Sequence, residues 1–187
     1  MKTVAFHLKG RTPLLMHNER LANPFDPFAK QLKAITDKRK KTDDDFFDLM
    51  RLQWFGGLYH DEDSGIHIPG WNALSCFVGG GKLHKLGSAI KRGAVVLEDK
   101  TPVIYKGPAE LEKLFEDKHF VDVRGVKVGT KKVMRCRPKF NQWAVKLNVA
   151  YDEGAINEEE IRRCVATAGA LVGLGDFRPR YGRFEIV

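Results

Sequence analysis

An α+β fold built on an antiparallel sheet follows from three features of the sequence. Large apolar residues recur at every second position near the amino terminus and again at Trp143–Tyr151, which marks strands. Helical spacing of apolar residues follows each of these segments. Between them, valines, glycines and lysines intermix over 118–139 in the manner of a twisted, exposed β-hairpin. The length of 187 residues suits one domain of ordinary size. A content of 43% hydrophobic and 30% charged residues excludes a disordered chain. No apolar run approaches the roughly eighteen residues that a membrane helix requires. The chain starts directly in strand-like sequence, so a cytoplasmic location is expected.

Val4, Phe6 and Leu8 alternate with Ala5, His7 and Lys9, giving a first half-buried strand. Pro13 breaks it, and Leu14 to His17 continues as an edge extension. Asn23 to Pro27 is loop; Phe28 to Lys41 is expected to be helical, with Phe28, Leu32 and Ile35 on one face. Thr42 to Asp45 is a helix start, because acidic residues favour the positive end of the helix dipole. The aromatic run from Phe46 to Phe55 then reads as core. Leu58 to Ile68 is a hairpin turning at Asp61–Gly65. A helix from Asn72 to Lys91 is expected to be interrupted at Gly79-Gly80-Gly81, since each glycine costs a helix about 1 kcal/mol. Close approach of another backbone is the simplest reason for such a triplet.

Ala94–Glu98 and Val103–Tyr105 are strands, and Pro108 suits the first turn of a short helix to Glu116. After the basic hairpin and the strand at Trp143–Tyr151, Asn157 and Glu160 form a capping-box pair for the next helix. Its buried stripe is Ile161, Val165, Ala168 and Val172. Arg183 to Val187 is a final strand. Without its insertions, the chain has the β-α-β-β-α-β order of a ferredoxin-like or RRM-like sheet. The chain is therefore expected to be a single RRM-like domain, 1–187, with a helical insertion at 23–57 and a basic hairpin at 118–139.

The net charge is +8, and the segment from Lys118 to Lys139 holds eight basic residues against the single acid Asp122, a net of +7. Lysines that guard a sheet edge against aggregation explain a few charges. A patch this concentrated points instead to a polyanion, with Arg124, Lys127, Lys131, Lys132, Arg135 and Arg137 as its binding residues. Lys82, His84, Lys85, Lys91 and Arg92 make a second basic face. The glycine-lysine run 79–82 lacks the spacing of a nucleotide-binding phosphate loop.

His60, His67 and the acids at 61–63 could meet across a hairpin, but solvated acidic turns are the commoner case, and no metal or cofactor is expected. Cys76, Cys136 and Cys164 are far apart and read as small buried residues. His17, beside Asn18, reads as a structural or RNA-contacting residue, with a general-base role as the alternative.

Three stretches resemble the RAMP superfamily, in particular the backbone subunits that line the guide RNA of CRISPR effector complexes. "VAFHLKGRTPLLMHN" is similar to the family's first strand with its proline-leucine step. "IHIPGWNALSCFVGG" resembles its entry into the first long helix, and "GLVGLGDFRPRYGRFEIV" its glycine-rich loop and closing strand. Two departures stand out. Ser75 occupies the place of a helix lysine, which moves that RNA contact to Lys82 or Lys85, and only Gly182 follows Arg178 in the loop. One branch of the family cuts RNA with a loop aspartate; Asp26 has no matching context, so no catalytic residue is carried over.

The resemblance implies a sheet as palm, the hairpin as thumb, and sequence-independent binding of single-stranded RNA, or DNA, by a non-catalytic subunit. Copies of itself or other effector subunits would be its protein partners, with no role at a membrane. Gly173 and Gly175 would let backbone amides approach phosphates, Arg178, Arg180 and Arg183 would supply charge, and Tyr181 would stack a base. Two other readings stay open. One is a single-strand-binding protein of a phage or mobile element, or an inhibitor mimicking an effector subunit. The other is an RNA-processing endoribonuclease using His17.

Overall fold

The computed structural model describes the backbone of residues 1–187 and all side chains except those of Val128 and Lys131. In chain order the elements begin with β1 (Lys2–Gly10), β2 (Leu14–Leu15), α1 (Pro27–Thr36), α2 (Asp43–Gly57), β3 (His60–Asp61) and β4 (Gly65–Pro69). Next come α3 (Gly70–Lys82), α4 (Gly87–Gly93), β5 (Ala94–Val96), β6 (Lys100–Pro102), β7 (Ile104–Tyr105) and α5 (Leu111–Glu116). The last are β8 (Val121–Val128), β9 (Lys131–Phe140), β10 (Trp143–Tyr151), α6 (Glu158–Thr167) and β11 (Phe184–Ile186). The class is α+β, with antiparallel sheets. Two compact units form: Met1–Leu14, His60–Lys106 and Asn141–Val187 make the first, and Leu15–Tyr59 with Gly107–Phe140 the second.

The main sheet of the first unit runs β11-β1-β10-β5, with β7 also paired to β10. Register sets Val4, Phe6 and Leu8 opposite Val149, Leu147 and Val145, and all six are buried. Phe77 of α3 meets Phe6 with ring centroids 6.1 Å apart, and Arg162 of α6 lies 5.5 Å over the same ring. Both helices therefore cover this face. The alternate positions put the half-buried His7 opposite the exposed Lys146, with the exposed Lys9 two residues on.

The glycine triplet does not interrupt α3. A side chain on Gly80 would overlap the Cys164 carbonyl oxygen of α6 and lie 2.7 Å from Ala168. The glycines therefore let two helices approach closely, a tertiary gain that outweighs their poor helix propensity. The helical run breaks later, after Lys82, where Lys85 adopts φ of +61°. In α6 the expected capping box forms: the Asn157 side chain accepts from Glu160 N–H at 2.9 Å, and Asn157 N–H donates to the Glu160 carboxylate at 3.1 Å. The helix then widens into a π turn at Ala168–Val172, leaving Val172 only half-buried.

In the second unit α1 stops at Thr36 rather than Lys41. Lys41 Nζ donates to the carbonyls of Thr36 (2.9 Å) and Lys38 (2.8 Å), so the lysine-rich run caps the helix end instead of extending it. Thr42 and Asp45 form a capping box for α2, and Lys38 Nζ reaches Asp45 Oδ1 at 2.5 Å. That ammonium, with the Thr42 N–H, holds the Asp45 carboxyl below its usual range.

Only part of the aromatic run is core. Trp54 is buried, donating Nε1–H to Phe120 O at 2.9 Å, whereas Phe46 and Phe47 are exposed. Pro108 lies outside α5, which starts at Leu111. The stretches 23–57 and 118–139 do not fold as separate embellishments: Gln53 Oε1 accepts from Cys136 N–H at 2.8 Å, joining α2 to β9. All three cysteines are free and buried; burial pushes the Cys76 and Cys136 thiols up to about 12 and raises Cys164 as well. Among the described residues no helix is long and apolar enough to cross a membrane.

Candidate nucleic-acid interface

The hairpin of β8 and β9 turns at Gly129, where φ is +58°, and its register is continuous from Val121↔Pro138 to Val128↔Lys131. Because side chains alternate, that register decides what each charge faces. Arg124 stands opposite Arg135, and Lys127 opposite Lys132 on the other face. The lysines are exposed and the two arginines half-buried. Asp122, the segment's one acid, is buried and bound by Arg124, whose Nε donates to Oδ2 at 2.6 Å. Arg137 sits directly across from Asp122 and is buried, so its charge is turned inward. The side chain of Lys131 lies outside the described residues. His17, in the same unit, is exposed beside Gly57, whose carbonyl accepts from Asn18 N–H at 3.0 Å.

The glycine loop of the first unit is tied rather than flexible. Gly173 N–H donates to Ala168 O and Leu174 N–H to Gly182 O, both at 2.8 Å, and Cys76 Sγ donates to Gly173 O at 3.2 Å. Gly173 and Gly182 have φ of +83° and +73°, and a side chain on Gly182 would overlap the Leu174 carbonyl oxygen. The neck of the loop closes only because both positions lack a Cβ. This corrects one expectation: the Gly173 amide is spent inside the fold and does not face a phosphate. Gly175, at φ +75°, is half-buried.

Beyond the neck the loop offers side chains. Arg178 and Arg180 are exposed, with no ion pair among the described residues. Arg183 is folded back, donating Nε–H to Pro179 O at 2.8 Å. Tyr181 is half-buried, edge-on to Phe177 with centroids 5.8 Å apart.

Lys82 and Lys85 come together at the elbow after α3, on a cavity of about 640 Å³ that Lys91 of α4 also lines. Its aromatic wall is Trp71, which is 52% exposed. Trp71 escapes a reading for charge, yet Trp71, Leu74, Ser75, Val78 and Lys82 recur at the spacing of one helix face. That period, followed from Trp71, is the signal that finds the site. On the acidic hairpin, Asp61 is held by Lys100 at 2.8 Å and by Ser64 N–H at 2.7 Å, and no metal-ligand cluster occurs among the described residues. Compared with known proteins, the chain matches no family model and no curated protein.

Proposed function

We propose that this protein binds single-stranded RNA along its phosphate backbone, without reading sequence, as a non-catalytic cytoplasmic subunit that assembles along the strand in a CRISPR-like ribonucleoprotein. The observation that carries this reading is the hairpin register. Like charges directly opposite each other destabilise a strand pair, by roughly 0.2–1 kcal/mol each. Here Lys127↔Lys132 is such a pair, with no acid on either lysine among the described residues, while Arg124, opposite Arg135, is ion-paired to Asp122. Lysines that merely guard an edge need no cation across from them. A polyanion shared by both strands turns this cost into affinity.

The ferredoxin-like palm of the RAMP type is part of the same proposal. Taking β1, α3, β5, β10, α6 and β11 as the β-α-β-β-α-β series, the sheet order is fourth, first, third, second. This order, with both helices on one face, supports it.

The test is binding of fluorescent single-stranded RNA across a salt series. Log affinity falls linearly with log salt, by about 0.7 for each phosphate neutralised. A salt-independent affinity overturns the backbone reading. Light scattering with strands of increasing length then reads assembly: mass rises stepwise, because a head-to-tail contact does not close on itself. A protein that stays monomeric on saturating long RNA and DNA is a stand-alone binder or inhibitor instead. RNA cleavage in EDTA that is lost in His17→Ala replaces the reading with an endoribonuclease.

A further inference from the structure

We infer that the cavity at the elbow of α3 and α4 is a separate site for a nucleoside phosphate, either a free nucleotide or the 5′-phosphorylated end of a strand. It belongs to the unit that lacks the hairpin, and it stands whether or not the hairpin binds nucleic acid.

Three observations converge on this ligand. The first is charge: Lys82, Lys85 and Lys91 line one cavity, all three are exposed, and none is ion-paired among the described residues. Three ammonium groups around one space repel each other until an anion of more than one negative charge enters, which describes a phosphate monoester rather than a carboxylate. The second is the wall. Trp71 is half-exposed while Trp54 and Trp143 are 0% and 3% exposed. An indole left in water beside cations is a stacking surface that suits the flat face of a base. The third is size. About 640 Å³ lies within the roughly 300–1,000 Å³ range of small-molecule sites.

The local fold explains how the site is held. Leu74 and Val78 give it an apolar floor on α3, and Ser75 and Ser88 add hydroxyls that can donate to phosphate oxygens. Lys85 stands at φ +61°, a left-handed conformation that is strained for a lysine. The Lys85 N–H bonds Lys82 O at 3.2 Å and Leu86 N–H bonds Gly81 O at 2.8 Å, which fixes the elbow. The bend brings Lys82 and Lys91, on different helices, to the same cavity. A strained non-glycine residue at such a turn is a common mark of a binding site.

Acrylamide quenching of tryptophan fluorescence tests this directly, since Trp71 is the accessible indole of the three. AMP should protect Trp71 saturably, and adenosine should need at least about tenfold higher concentration, because it lacks the charged group. The variant Lys82→Gln/Lys85→Gln/Lys91→Gln changes exposed side chains only and should weaken AMP protection by about tenfold or more. A short oligonucleotide with a 5′-phosphate, compared with its 5′-hydroxyl form, separates the two sources. Protection by the phosphorylated strand below the AMP concentration assigns the strand end, and protection by AMP alone assigns the free nucleotide. Equal protection by both oligonucleotides, or none by any of these probes, overturns the inference. Lys132→Glu on the hairpin should leave AMP protection unchanged, so failure of strand binding and failure of this site remain distinguishable.

Discussion

The hairpin and the glycine loop hold arginines and lysines in opposite ways. In the hairpin the backbone register forces cation against cation, Lys127 against Lys132 and Arg124 against Arg135. In the loop the backbone is knotted by its own hydrogen bonds, Leu174 to Gly182 and Gly173 to Ala168, and Arg178 and Arg180 stand exposed beyond the neck. The hairpin therefore stores electrostatic cost that a ligand can relieve, whereas the loop presents charge on a frame already paid for by glycine. Two basic stretches of similar composition thus differ in what a substitution will do. In the hairpin, stability and affinity should move in opposite directions; in the loop, they should separate by position.

The largest effect should come from the loop's neck. Gly182→Ala places a Cβ on the Leu174 carbonyl and at φ +73°, so a loss of about 3 kcal/mol or more is expected, read as a marked fall in Tm. The hairpin's own glycine offers the contrast: Gly129, at φ +58° with nothing near its Cβ position, should lose only about 1–2 kcal/mol on substitution by alanine. Equal losses at both positions would dissolve the distinction.

Next is Lys132→Glu, which sets a carboxylate across from Lys127. Thermal melts should show stability unchanged or raised by up to about 1 kcal/mol. RNA affinity should fall about tenfold, with a shallower salt slope. A variant that loses both stability and affinity would mean that Lys132 is structural. Arg178→Ala and Arg180→Ala should each weaken RNA binding severalfold while Tm stays almost constant, since exposed loop positions contribute within about 0.5 kcal/mol. If both instead unfold the protein with residual binding intact, the loop's tip belongs to its frame.

The smallest effect concerns acid. Asp45 has its carboxyl lowered by Lys38 and the Thr42 N–H, so the stability it contributes is present above its unfolded pKa and is lost as pH falls through the folded value. Asp45→Asn should lessen the acid sensitivity of the hairpin's unit, read as a flatter Tm-versus-pH curve below about pH 4.

What could be read from the sequence was local. The alternation of β1 and β10, the helix start at Thr42–Asp45, the capping box at Asn157 and the basic hairpin lie in short-range pattern, and the structure has them, the hairpin with strands from Val121 to Phe140. Contacts made across long separations were hidden. Gly80 looked like a helix breaker; close approach of another backbone was the expected reason for the triplet and is found, but nothing nearby in sequence names Cys164 as the partner. The bond between Gln53 and Cys136 spans 83 residues, and it joins the helical insertion to the basic hairpin. Arg137 counted as a surface charge until register set it against the buried Asp122. At the candidate interface, charge revealed the lysines of the elbow cavity, while Trp71 is reached only by following the helical period that joins it to Lys82.

The three buried cysteines have a consequence of their own. A thiol pushed up to about 12 is almost entirely protonated near neutrality, and only the thiolate reacts with alkylating reagents. Labelling therefore waits for the polypeptide to open locally, and its rate becomes a clock for that opening. Cys136 keeps time for the hairpin's unit, and Cys76 and Cys164 keep time for the other. One native sequence thus carries two internal reporters, and a ligand that steadies one unit alone should slow one clock and leave the other running.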